Sequence, residues 1–354
     1  MNTLHKEHFF TLIVLLFITS AAFSQKEFFR SQQVFKEGQL EKFYSSITIS
    51  DSIILFNAND YYLYAYNKNN GKLKWSFKNN YKTSVPVFVV DDIIYTAASK
   101  NDEQQAVQIS LADGKFIKEL PFGPLQTKPF FKNGMLYGTA IFNYGCLIAY
   151  NMEKDTVSWS RFIAHGLNRQ PYYFDNKILA NAEGDNWVEL YYDGVLLDTT
   201  CTTKASIFIE NIPCVKVFSV YSHDGREIKG KLAASIFANN FNEEPEIITT
   251  KKFTYILSDS KLSIVAAKLK LKIQIDISTL THDLIETGQP KLLKADEENV
   301  WLMYANHLLQ YNHKTKFFVK QNDLTAWQPR QVLFDGDNIW LISGKDGLLY
   351  GLSL

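Results

Sequence analysis

The residues best placed to do chemistry lie in two short polar runs, Arg161–Arg169 (R-F-I-A-H-G-L-N-R) and Glu183–Trp187 (E-G-D-N-W). Together they offer an imidazole (His165), a carboxamide (Asn168), a guanidinium (Arg169), a carboxylate (Asp185) and an indole (Trp187). A guanidinium fork beside an aromatic platform is the usual anchor of a recognition surface. The expectation is a polar ligand or partner pocket, if both runs reach the same face of the fold. The same residues equally suit an ordinary pair of solvated loops beside a packed Trp. Catalytic spacings are missing elsewhere: the chain has no G-x-S-x-G and no H-E-x-x-H. His165, His223, His282, His307 and His313 are scattered, and no C-x-x-C supports zinc or redox-dithiol chemistry. Of the three cysteines, Cys201 and Cys214 fall on neighbouring segments. A disulfide there and burial as small hydrophobes are both open.

These residues sit in a chain with the marks of export. Residues Met1–His8 precede an apolar run from Phe9 to Thr19, and small residues follow. Ala22-Phe23-Ser24 reads as a small-x-small cleavage site with Gln25 as the mature start. The apolar run is too short to span a bilayer. The expected organisation is a signal peptide over residues 1–24 and a single domain over 25–354. No Cys beside the cleavage site would take a lipid anchor. The Ser-Gln ending and the richness in Asn, Lys and aromatics fit a periplasmic or secreted protein of a Gram-negative bacterium. Lys plus Arg and Asp plus Glu both number 37, so the net charge is zero. That balance excludes a nucleic-acid binder, which needs a basic excess.

What must position the two polar runs is a repeat. The segment DSIILFNANDYYLYAYNKNNGKLKWSF, Asp51 to Phe77, recurs in weaker form toward the C-terminus. Aligned on the first apolar residue after a polar turn, the anchors are Ile53, Ile93, Met135, Ile178, Ile207, Phe253, Val300 and Ile339. They lie about 40 residues apart, with one short step into Ile207 and one long step out. Each unit traces a short strand, a two-residue polar turn, an apolar strand, a third strand, a tight turn and a fourth strand. Asp91-Asp92 and Asn133-Gly134 serve as the first kind of turn, Asn70-Gly71 and Asp113-Gly114 as the second. Four antiparallel strands per unit read as an all-β, eight-bladed β-propeller, with seven blades as the alternative. The one helix-like stretch after the signal falls near residues 231–239.

The last unit supplies only three strands: Arg330–Phe334, Ile339–Ser343 and Leu348–Leu354. An open edge invites aggregation, so the fourth strand is expected from the N-terminus, Glu27–Lys36, ahead of a first-unit strand Phe43–Ile49. The ring is then closed by the N-terminal strand.

The stretch Asp60–Trp75, D-Y-Y-L-Y-A-Y-N-K-N-N-G-K-L-K-W, resembles the repeat of the PQQ-like (quinoprotein-type) β-propeller family. Leu63, Tyr64, Ala65, Gly71, Lys72 and Trp75 match it; Tyr66 and Asn67 stand where the family has Leu and Asp. The third unit keeps Ala149, Tyr150, Asn151 and Trp159. The resemblance implies that Trp75 and Trp159 pack between blades and that Gly71 permits a tight turn. Family members that oxidise alcohols look like much longer chains with a bound quinone, a calcium site and often a vicinal Cys pair. This chain has no such pair, so no cofactor and no metal are expected. The non-enzymatic, BamB-like branch includes an eight-bladed scaffold lipoprotein of outer-membrane protein assembly.

The resulting expectation is an exported scaffold, a monomeric ring without a membrane span, that binds a protein or peptide partner in the cell envelope. The supply of 19 Tyr and 26 Phe favours it, with Tyr61, Tyr62, Tyr64 and Tyr66 as candidates for partly exposed rings. The insertion over residues 230–246, with Phe237 and Phe241, offers a second grip. The alternative is a propeller that binds a small molecule or carbohydrate, or a hydrolase or lyase whose site is borne on converging loops.

Overall fold

A computed structural model of the chain describes residues 25–35, 45–80, 85–100, 103–142, 144–164, 171–173, 178–181, 187–190, 196–198, 219–221, 227–229, 246–258, 260–266, 271–277 and 290–354. Strand β1 is Lys26–Arg30. Unit one follows as β2 (Ser46–Ile49), β3 (Ile53–Asn57), β4 (Tyr62–Asn67) and β5 (Leu73–Lys78). Unit two is β6 (Phe88–Val90), β7 (Ile93–Lys100), β8 (Glu103–Ser110) and β9 (Phe116–Glu119). Unit three is β10 (Phe130–Lys132), β11 (Met135–Phe142), β12 (Tyr144–Asn151) and β13 (Thr156–Ala164). Unit four is β14 (Tyr172–Tyr173), β15 (Ile178–Asn181), β16 (Trp187–Leu190) and β17 (Leu196–Asp198). Unit five shows β18 (Ser219–Tyr221) and β19 (Glu227–Lys229). Unit six is β20 (Glu246–Thr249), β21 (Phe253–Ser258), β22 (Lys261–Ala266) and β23 (Leu271–Asp276). Unit seven is β24 (Lys291–Ala295), β25 (Asn299–Tyr304), β26 (His307–Asn312) and β27 (Phe317–Asp323). The last unit is β28 (Pro329–Asp335), β29 (Asn338–Ser343) and β30 (Leu349–Ser353), with β1 as its fourth strand.

The described residues thus form an all-β arrangement of seven four-stranded antiparallel sheets and one two-stranded pair. Apolar clusters join unit six to seven, seven to the last, the last to one, and one through two and three to four. Sheets stacked face to face in serial order are the propeller-type arrangement. No described helix is long and apolar enough to cross a membrane.

The anchors read from the sequence fall at the second strands. Ile53, Ile93, Met135, Ile178 and Phe253 each open one, and Val300 and Ile339 lie one residue inside theirs. Ile207 and the helix-like stretch at 231–239 lie outside the described residues. The turns take the expected conformation. Asp91 and Asp92 have φ of 49° and 61°, Asn133 and Gly134 of 51° and 73°. Two left-handed residues in succession give the mirror-type turn whose twist matches that of the flanking strands. The turn from third to fourth strand is held by a recurrent Asn. The Asn67 side chain accepts from the backbone N–H of Asn69 and Asn70, Asn151 from Lys154, and Asn312 from Lys314 and Thr315.

The contact between units is specific. Trp75 on β5 is buried, and its Nε1–H donates to the Leu111 carbonyl of unit two at 3.0 Å. Its ring lies on the next turn glycine: a Cβ on Gly114 would sit 2.5 Å from the indole. Phe29 on β1 stands on Gly71 of unit one in the same way, with 2.6 Å left for a Cβ. The N-terminal strand therefore repeats the interface role of a fourth strand. Trp340, on the second strand of the last unit, is buried and meets Phe29 with tilted rings at 5.2 Å and Phe28 edge-on at 5.4 Å.

The clasp is shorter than the sequence suggests. Antiparallel pairing runs from Lys26↔Ser353 to Arg30↔Tyr350, with a bulge between Glu27 and Phe29. It stops before Lys36 because Ser31 replaces the next rung: its N–H donates to the Leu349 carbonyl at 2.9 Å, and its Oγ accepts from Leu349 N at 3.0 Å. The expected strand Phe43–Ile49 is likewise shorter, beginning at Ser46.

Two outcomes are expected. Gly114→Ala should destabilise by about 3 kcal/mol, since left-handed strain adds to overpacking against Trp75. Gly134→Ala, with open space around the added Cβ, should cost only about 1 kcal/mol; urea unfolding of both variants checks the difference. Deleting residues 25–31 should lower the melting temperature of the whole fold rather than split off a separate transition. Calorimetry showing an unchanged melt would contradict the clasp.

Candidate functional site

In each four-stranded sheet of units one, two, three and seven the first strand is an edge strand, as is β28 of the last unit. These first strands approach one another, β2 against β28 and β24 against both β20 and β28. They converge on a cavity of about 930 Å3. Its lining comes from five units: Ile47–Ile49 of β2, residues 85–88 leading into β6, residues 126–128 before β10, Leu293 and Lys294 of β24, and residues 331–334 of β28.

A converging edge strand leaves backbone groups that must find partners. Here side chains reach across units to supply them. Thr48 Oγ1–H donates to the Val87 carbonyl at 2.7 Å and Ser46 Oγ–H to the Val85 carbonyl at 3.3 Å, tying unit one to unit two. Gln331 Oε1 accepts from Ile47 N at 2.9 Å, and its Nε2 donates to the Ile47 carbonyl at 3.4 Å, tying the last unit to unit one. Thr127 and Thr139 hydroxyls meet at 2.7 Å and fix the lead-in to β10. The wall is therefore built before any ligand arrives.

Its chemistry is apolar with a basic accent. Val87, Phe88, Leu293, Val332, Leu333 and Phe334 give the apolar surface. Lys128 and Lys294 are the charged side chains of the described lining, which holds no acidic residue. Lys294 Nζ lies 5.2 Å from the centre of the Phe334 ring, a cation–π contact. The Lys294 charge is felt nearby. Burial pushes the Asp296 carboxyl up, yet hydrogen bonds from Glu298 and Asn299, together with Lys294, hold it below the usual carboxylate range. A cavity of this kind favours an anionic or carboxylate-bearing ligand with apolar bulk.

The residues singled out in the sequence are not those that line this cavity. His165, Asn168, Arg169 and Asp185 lie outside the described residues, as do Cys201, Cys214, Phe237 and Phe241. Of Trp187, its place at the start of β16 opposite Asn181 is described. Tyr66 is buried, and Tyr61, Tyr62 and Tyr64 are half-buried, so three of the four rings are partly exposed. Lys128, Lys294 and Gln331 were missed. The signal available was a Lys or Gln within or beside an otherwise apolar first strand, as in K-L-L-K-A at 291–295.

No protein-family model matches the sequence, and no curated protein matches it. Solved structures do match. The computationally designed protein Ika8 aligns with a TM-score of 0.57 at 12% identity, over 89% of this chain and 98% of its own. BamB from Moraxella catarrhalis aligns with a TM-score of 0.44 at 12% identity, over 87% of this chain and 82% of its own. The likeness to Ika8 is one of fold.

The cavity wall predicts a contrast. Gln331→Leu leaves Ile47 N–H without its acceptor and should cost about 1–3 kcal/mol. The exposed Lys294→Ala should stay within about 0.5 kcal/mol of the parent. Urea denaturation of the two variants measures both.

Proposed function

We propose that this protein is an exported binding scaffold, an eight-unit ring whose axial cavity receives a segment of a partner protein in the cell envelope. The observation that carries the reading is the preformed cavity of about 930 Å3, apolar walls with Lys128 and Lys294 set into them. Preorganised walls spare a binding partner the cost of ordering the site. The two lysines favour an acidic peptide segment or a chain end with a free carboxylate. In this reading the two-stranded pair of unit five completes a ring of eight, and residues 1–24 are the cleaved export signal. Membership of the PQQ-like repeat family rests on Leu63, Tyr64, Ala65, Gly71, Lys72 and Trp75. The loop residues His165, Asn168, Arg169, Asp185 and Trp187 are proposed as a second, outer contact for the same partner.

A second reading is favoured by one feature of the cavity. The cavity volume lies within the range of about 300–1,000 Å3 usual for small-molecule pockets. A small amphipathic carboxylate is then the ligand.

Tagged protein from the native host, cross-linked before lysis, is expected to carry an envelope protein whose capture falls at least about tenfold in the double variant Lys128→Glu, Lys294→Glu. Capture that ignores the double reversal would overturn the axial site. A carboxylate metabolite found in place of a protein would establish the second reading.

A further inference from the structure

A second cavity, of about 830 Å3, lies between β1 with its continuation and unit one. It shares no lining residue with the axial cavity. One wall is the clasp and its continuation, Phe29 to Val34; the other belongs to unit one, with Asp60, Tyr64, Tyr66 and the turn from Gly71 to Leu73.

The unit-one wall follows from strand alternation. Tyr62, Tyr64 and Tyr66 occupy every second position of β4 and so share a face. Their rings stack at 5.8 Å and 6.2 Å between centres, each pair tilted by 26°. Just before the strand, Tyr61 takes a φ of 69°. Asp60 Oδ1 accepts from Tyr62 N at 3.3 Å and Oδ2 from the Tyr64 hydroxyl at 2.6 Å. Burial pushes the Asp60 carboxyl up, against the pull of those two hydrogen bonds.

On the clasp wall, the Gln33 amide meets the Tyr66 hydroxyl through Nε2, while its Oε1 is buried with no partner among the described residues. Turning the amide over would only move the deficit to the nitrogen. Arg30 and Lys72 also line the cavity. Arg30 is held by Asp346 at 3.5 Å and lies 5.5 Å over the Tyr350 ring.

We propose that this groove binds a neutral saccharide. Hydroxyl groups are donors and acceptors at once, which is what a carboxylate, an unsatisfied amide and two cationic side chains within one groove call for. Arg30 and Lys72 oppose a cationic ligand, and Asp60 opposes an anionic one. The tyrosine stack gives an apolar flank for the C–H face of a sugar ring. Because the two walls come from the last unit's fourth strand and from unit one, a bound sugar bridges the closure and stabilises it by linkage. This site stands independently of the axial reading.

The test uses the full mature chain with glucose, galactose, N-acetylglucosamine, maltose and cellobiose, followed by titration calorimetry and thermal melting. Tetramethylammonium chloride and inorganic phosphate serve as charged controls. At least one sugar is expected to bind and to raise the melting temperature by roughly 5 °C at about a hundredfold excess over Kd. Asp60→Asn and Gln33→Leu should each weaken that binding at least about tenfold, and Lys294→Ala in the axial cavity should leave it unchanged. If either groove variant fails to melt cooperatively, Tyr64→Phe takes its place, since it keeps the ring and loses only the hydroxyl on Asp60. The proposal is overturned if none of the five sugars binds at about 10 mM, if binding ignores the groove variants, or if a charged control binds there instead.

Discussion

The arrangement depends on how one sheet seats against the next. An aromatic side chain on an outer strand lies flat on the turn of the following unit, and that turn has room for it only because its left-handed residue is glycine. Trp75 on Gly114 and Phe29 on Gly71 show the same contact at two successive interfaces, with the Trp75 indole also hydrogen-bonded to the Leu111 carbonyl. The apolar gain of burying such rings is a few kcal/mol each. The geometric consequence is larger. Fixing each sheet against its neighbour at the outer strand sets the angle between them, and so brings the first strands together at the other end of each sheet.

That convergence creates a polar problem. First strands are too splayed to pair into one continuous sheet, yet their backbone groups face a confined space. Ser46, Thr48 and Gln331 resolve it by reaching across to the backbone of the neighbouring unit. The cavity is thus what remains when sheet edges are satisfied by side chains instead of by further strands. The outer edges face the opposite situation and are largely exposed. Lys74, Lys78, Lys118 and Lys320 lie on those strands beside exposed Leu73, Phe116, Ile117, Phe317 and Val319, the placement of charge that discourages edge-to-edge association.

Much of this was legible in the sequence because it is local or periodic. Turn pairs such as Asp91-Asp92 and Asn133-Gly134 carry their conformation in their residue types. Second strands are buried on both faces and stand out as apolar runs, which is why their anchors fell within a residue of the observed starts. The missing fourth strand of the last unit followed from counting, and Glu27–Lys36 was the right place to look, though the pairing ends at Arg30. The cavity was not legible. Lys128 and Lys294 are far apart in the chain, and nothing in their neighbours says that both face one space; only the seating of the sheets decides that. Gln33 and Asp60 line one groove for the same reason. The two polar runs that look most chemical in the sequence lie largely outside the described residues.

The pairing of Lys26 with Ser353 also imposes an order in time. The first described strand has the last described strand as its partner. Local hairpins within the units have short loops to close and can form early, whereas this contact waits on nearly the full length of the polypeptide and raises the mean sequence separation of native contacts, a feature of slow folders. Until Leu349–Ser353 is in place, β1 is an unpaired edge. The two aromatic residues that seal the closure, Phe28 and Phe29, spend that interval without Trp340 and Gly351 to cover them.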